Sequence, residues 1–340
     1  MSPARWHFGR ETGRVCALVT LSLLLLAVSI WSVGQGTTGI PVAEVLRAFT
    51  HFDGSWEHLV IMNVRLPRVL AGLLAGGALA AAGAIMQAVT ANPLASPDLL
   101  GVNAGAALAV VVALSLFGVS SSAGHVLFAF AGAGATAIAV YLLGTSGRGG
   151  NVRIRLVLAG AILTTFLMAL TVAVLIFDGA TLDAVRQWTA GSLVNRSMAQ
   201  VEAVLPFMLA GLALALLARR QITTLSLGPD AARGVGQNPA LWLGLSLVIV
   251  ILLAGGAVAL AGPVGFVGLV VPHIVRVLNG TDYRWIIPFC ITGGALLVVA
   301  ADAGARIMLK GADLPVGIVV ALLGAPFFLW LVRVRAQALA

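Results

Sequence analysis

Charge is what this sequence has least of. Asp, Glu, Lys and Arg make up 9% of 340 residues, and Lys310 is the single lysine. A soluble domain carries about 25% charged residues, so an ordinary water-facing surface is excluded. Cysteine is scarce too: Cys16 and Cys290 both lie in or beside apolar stretches, which argues against a disulfide and against a cysteine metal site. The histidines His7, His51, His58, His125 and His273 have no second ligand at zinc-type or helical spacing and read as ordinary polar residues. Catalytic signatures are missing as well. The chain has no Walker motif, no HExxH, no GxSxG and no paired carboxylates within one apolar stretch.

What is present is hydrophobic: 60% of the residues, with a mean hydropathy of +1.06. A bilayer crossing takes roughly 20 apolar residues, and the charges divide the chain into about ten such stretches. They lie near 15–33, 69–91, 99–119, 124–144, 156–177, 203–218, 239–257, 262–278, 285–301 and 314–332, the seventh and eighth folding back somewhere in 255–263. The expectation is an all-α polytopic membrane protein, residues 1–340 forming one transmembrane domain. The first stretch also resembles a signal peptide, with Ala27-Val28-Ser29 as a passable cleavage site, but its 19 residues in a polytopic chain favour a retained span.

The formal charge of +8 would suggest nucleic acid in a soluble protein; in a membrane protein it is a question of sides. Of the basic residues, 13 fall in the connections that share a side with the termini and 7 in the others. By the positive-inside rule both termini are expected in the cytoplasm. No nucleic-acid partner is implied.

An internal repeat is visible. Ala75–Gly83 reads AGGALAAAG and Ala254–Gly262 reads AGGAVALAG, in spans expected to run in opposite directions. This fits an inverted repeat relating spans 2–5 to spans 7–10, an arrangement found in transporters. Small residues of this kind let helix backbones approach closely in lipid. Polar residues within the spans are few: Gln87, Asn103, Thr164, Thr165 and Asp302. Asp302 stands four residues before Arg306, so a local ion pair accounts for it without a proton relay.

Three segments break the apolar pattern. Arg65-Leu66-Pro67-Arg68 puts two arginines at the outer end of the second span, either as snorkelling anchors or as a basic patch for an acidic partner. Asn92-Pro93-Leu94-Ala95-Ser96-Pro97-Asp98 is a two-proline turn on the inner side, a connector or a rigid constriction. The cytoplasmic segment 222–238 contains Leu227-Gly228-Pro229-Asp230 and ends near Gly236; a helix there is too short to stand alone and needs a partner surface.

With these motifs the chain resembles the FecCD family, the permease subunits of ATP-binding-cassette (ABC) importers for iron-siderophores, haem and cobalamin. The resemblance is carried by RLPR at 65–68, Gly83 to Gln87 (GxxxQ) and NPLASPDLLGVNAG at 92–105. It continues with WTAGSL at 188–193, GPVGFVGLVVPHIVR at 262–276, ADAGAR at 301–306 and LPVGIVVALLGAPFFLWL at 314–331. It implies a type II ABC importer permease in a bacterial cytoplasmic membrane, surrounded by lipid. Its partners would be a second permease subunit, identical or paralogous, two cytoplasmic ATPase subunits and an extracytoplasmic binding protein. ATP and magnesium would be used by the ATPase, leaving this chain without a cofactor, a metal or an enzymatic role. The resemblance assigns Arg65, Arg68 and Arg306 to binding-protein docking, and Leu227, Gly228, Ala232 and Gly236 to ATPase coupling. Asn92, Pro93 and Leu94, with Arg153 and Ile154, fall at the inner gate; the last two stand where related chains carry small hydroxyl residues. The wording of 92–105 and 314–331 is nearest to ferric siderophore or dicitrate permeases, with cobalamin or haem as the alternative cargo. An ion-coupled secondary transporter would also show an inverted repeat.

Overall fold

The computed structural model describes residues 11–36, 38–119, 121–146, 152–177, 188–308 and 314–337. Among them there are helices and no strands. An apolar chain in lipid has no water to satisfy its backbone, and a helix does so within each segment. Among the described residues seven helices are long and apolar enough to cross a membrane: α1 (Glu11–Gly34), α3 (Trp56–Thr90), α5 (Ser122–Thr145), α6 (Val152–Phe177), α7 (Met198–Leu217), α10 (Pro239–Ala261) and α12 (Tyr283–Met308). Three more apolar helices are shorter: α4 (Val102–Ser115), α11 (Val267–Asn279) and α13 (Val316–Gln337), whose apolar part is Val316–Leu329. The remaining helices, α2 (Val42–Thr50), α8 (Arg219–Ser226) and α9 (Pro229–Gly234), lie in connections.

Each of the ten apolar stretches holds one of these ten helices, but several ends differ from the sequence expectation: the second helix begins at Trp56 rather than 69, and the ninth runs to Met308 rather than 301. The third stretch begins helically only at Val102, because Pro97–Leu100 forms a 3₁₀ turn closed by Gly101 in the left-handed region at φ 69°. The seventh helix does not end at residue 257. Gly255 and Gly256 are absorbed by a π turn at Ile251–Gly255, and the chain leaves the helix only at Gly262 (φ 73°), so α11 starts at Val267 rather than 262. Long, short, long describes α3 to α5 and again α10 to α12, the order an internal repeat requires.

α3 is the central post: 83% of its apolar window is buried, against 6% for α1. It packs most extensively on α12 and then on α10 and α11. Close approach explains this. A methyl group at Gly76 would overlap the Gly294 carbonyl of α12, and one at Gly83 would overlap the Gly268 carbonyl of α11. Beside the second crossing Gln87 donates to the Gly268 carbonyl at 3.2 Å and accepts from Arg276, so the buried amide of the GxxxQ motif ties α3 to α11.

Candidate functional site

The polar residues gather at the two ends of the bundle. At one end lies an arginine knot. Arg65 sits in a π turn (Ile61–Arg65) within α3, and its guanidinium donates to the carbonyls of Val33 at 3.1 Å, Gly34 at 2.7 Å and Thr38 at 2.6 Å. Arg306, on α12, donates to the carbonyls of Ser32 at 3.1 Å and Gln35 at 2.6 Å. Both cations therefore cap the C-terminal end of α1, where the carbonyls have no intrahelical partner and the helix dipole is negative. Arg68 grips Asp302 with its Nε and Nη2 at 2.9–3.1 Å, and Arg306 meets the same carboxylate at 3.1 Å.

The residues assigned to docking are mostly buried in this geometry. Arg65 and Arg68 are only 6% and 9% exposed. Arg65 and Arg306 donate to the end of α1 and Arg68 to Asp302, so these side chains hold the end of the bundle together. The local Asp302–Arg306 pair expected from spacing is present, but the stronger, two-pronged partner is Arg68, 234 positions away, which no local pattern could reveal.

The same end holds a second buried group that sequence reasoning passed over. His58 is 1% exposed, with Nε2 at 3.0 Å from Glu44 and Nδ1 at 2.8 Å from Asp53. It pins the amphipathic α2 against the end of α3. The Ser55 amide and hydroxyl hold the Asp53 carboxyl below the usual carboxylate range. Elsewhere three family motifs converge: Gly191 of WTAGSL packs on the Pro263 carbonyl, and its own carbonyl accepts from the Gly317 amide at 2.8 Å.

At the opposite end lie the turn 91–101, the start of α6 and the α8–α9 segment. In the turn, Ala91 is left-handed (φ 49°), and the Asn92 side chain accepts from the Leu94 amide at 2.9 Å, an Asx turn that Pro93 stiffens. Leu94 is exposed, as is Ile154 on α6 beside Arg153. The two segments are mechanically joined, because Gly160 of α6 is so close to the Leu99 carbonyl that a methyl group there would overlap it. In α9, Leu227 and Val235 are more than 70% exposed and flank the helix, whereas Ala232 is fully buried. Ala232 therefore seats α9 against the bundle and is not part of its outer surface. Gly228 (φ 109°) and Gly236 (φ 77°) bracket α9 in conformations that favour glycine.

A bundle of about ten apolar helices with charged groups confined to its ends and a short exposed helix at one of them defines an α-helical membrane transport subunit. The FecCD transport family model matches residues 24–334, and the chain belongs to this family. It is 41% identical over 325 residues to the ferric enterobactin transport system permease protein FepD of Escherichia coli, covering 95% of this chain and 97% of that one. It is also 41% identical to the Fe(3+)-citrate import system permease protein YfmD of Bacillus subtilis over 324 residues, 94% and 96% of the two chains. A solved metal-chelate type ABC transporter in an inward-facing conformation superposes with a TM-score of 0.82 at 27% identity, over 94% of this chain and 99% of that one.

Proposed function

We propose that this chain is the membrane permease subunit of a binding-protein-dependent ABC importer that carries a ferric chelate, of siderophore or citrate type, into the cytoplasm. The observation that carries the reading is the family match over nearly the whole length together with an exposed α9 that has apolar residues at both ends. ATP binding and hydrolysis belong to a separate subunit, which uses ATP and magnesium. Movement enters through α9, whose Leu227 and Val235 fit an ATPase groove, and passes through Ala232 and α8 to the bundle. The Asn92–Leu94 turn and the Arg153–Ile154 segment form the inner gate, moving together because Gly160 and Leu99 lock them. This end faces the cytoplasm, in keeping with the basic excess, and the arginine knot faces the binding protein. There three arginines against one carboxylate leave a positive field beneath the surface, which draws an acidic partner without requiring the guanidiniums to leave α1. Two permease copies, or this chain and a paralogue, enclose the pathway.

Substituting both ends of the coupling helix, Leu227→Asp with Val235→Asp, is expected to weaken ATPase capture by at least about 2 kcal/mol, the loss of an interface anchor. Co-purification of the ATPase from membranes should fall more than roughly tenfold while the helical bundle stays folded. Undiminished capture with normal uptake would remove α9 as the coupling element.

A further inference from the structure

A cleft of about 240 Å³ lies between the N-terminal parts of α1, α8 and α12, at the end assigned above to the cytoplasm. Its mouth carries Arg219, Arg220 and Arg284, and its wall is formed by Leu18, Trp285 and Pro288. Arg14 extends the basic rim, its guanidinium 6.0 Å from the centre of the Trp285 ring and donating to the Asn279 carbonyl. Two carboxylates stand nearby: Glu11 at the rim and Asp282, which pairs with Arg284 at 2.8 Å. Cations still outnumber them two to one. Arg219 and Arg220 are exposed and make no ion pair among the described residues.

From this arrangement we infer that the cleft is a binding site for an anionic phospholipid, whose phosphate meets Arg219, Arg220 and Arg284 and whose first acyl carbons follow Leu18 and Pro288. The apolar wall is the deciding feature. On a neighbouring face α1 exposes Val15, Val19 and Leu23, an apolar surface within the same leaflet for lipid tails. A free anion would gain nothing from such a wall; an amphiphile uses both parts. Basic pockets between membrane helices recognise acidic headgroups, and a tryptophan at the same level marks the interface. The location gives the site a consequence, because Arg219 and Arg220 open α8, which leads directly into α9. A lipid phosphate held there would brace the root of the coupling segment. The leaflet that supplies the lipid rests on the sidedness proposed above; binding itself does not.

The test is native mass spectrometry of the full chain, purified with its co-produced partners and offered equal amounts of phosphatidylglycerol and phosphatidylcholine with the same acyl chains. The wild type should retain phosphatidylglycerol in clear excess. Each arginine near the headgroup contributes about 1 kcal/mol, roughly fivefold, so Arg219→Gln with Arg220→Gln should erase the preference. Arg47→Gln, at an exposed arginine of the opposite end, should leave it intact. Absence of a preference in the wild type, or its survival in the double variant, would overturn the proposal. Displacement of the lipid by millimolar inorganic phosphate would also overturn it, making the cleft a simple anion site. The wild-type lipid and phosphate titrations decide the matter even if the double variant fails to fold. Retention is read without transport, so a negative result leaves the importer reading standing.

Discussion

Replacing Asp302 by leucine is expected to destabilise the bundle by about 3–5 kcal/mol, the usual cost of leaving buried charge without its partner. The carboxylate is shared by Arg68 and Arg306, and its removal leaves two cations at the buried end of the α3–α12 contact. Arg68→Leu should cost less, because Arg306 still meets Asp302. Arg68→Lys should not restore the wild type, since an ammonium cannot reproduce a two-pronged grip on a carboxylate. Thermal unfolding in detergent, followed by size-exclusion chromatography of the heated samples, ranks the variants. Wild-type stability in Asp302→Leu with binding-protein docking alone lost would show that the arginines serve as a contact surface after all.

The second large effect is expected at Gly83. Alanine there places a methyl group against the Gly268 carbonyl, and backbone has no rotamer with which to give way. Overpacking at such a crossing costs about 1–3 kcal/mol or more, and it also strains the Gln87 bond to the same carbonyl. Gly83→Leu should prevent α3 and α11 from docking and should leave little folded protein in the membrane fraction. Gly304→Ala is the matched control: it lies within α12 with nothing inside 4 Å of the added carbon, and it is expected to be neutral or to stabilise by a few tenths of a kcal/mol. Equal melting of Gly83→Ala and wild type would mean that the α3–α11 contact is looser than described.

Much of the helical architecture was legible because charge in lipid is costly and so marks where spans stop. The repeat was legible for a related reason: AGGALAAAG and AGGAVALAG are packing surfaces, and close helix contact leaves few residue types to choose from. The ends were harder. Gly255-Gly256 reads as a turn, yet a π turn keeps both inside α10, and only the left-handed Gly262 ends it. The arginines were singled out correctly as anomalies, but charge alone does not tell a cap from a contact. That distinction needed the carbonyls of Ser32, Val33, Gly34 and Gln35 at the end of a different helix. The burial of Ala232 was hidden for a similar reason, since a six-residue helix has no hydrophobic stripe long enough to say which face turns inward. His58 gave no signal at all, because its partners Glu44 and Asp53 lie in the connection that folds back over α3.

The central claim is that this chain moves its cargo on energy supplied by another subunit. Its most direct test is uptake of a ferric chelate into proteoliposomes that hold the chain with its permease and ATPase partners, with loaded binding protein outside and ATP inside. Uptake is expected to require ATP, the binding protein and an intact α9, and an imposed proton or sodium gradient is expected not to substitute for ATP. Uptake driven by an ion gradient in liposomes lacking the ATPase would contradict it.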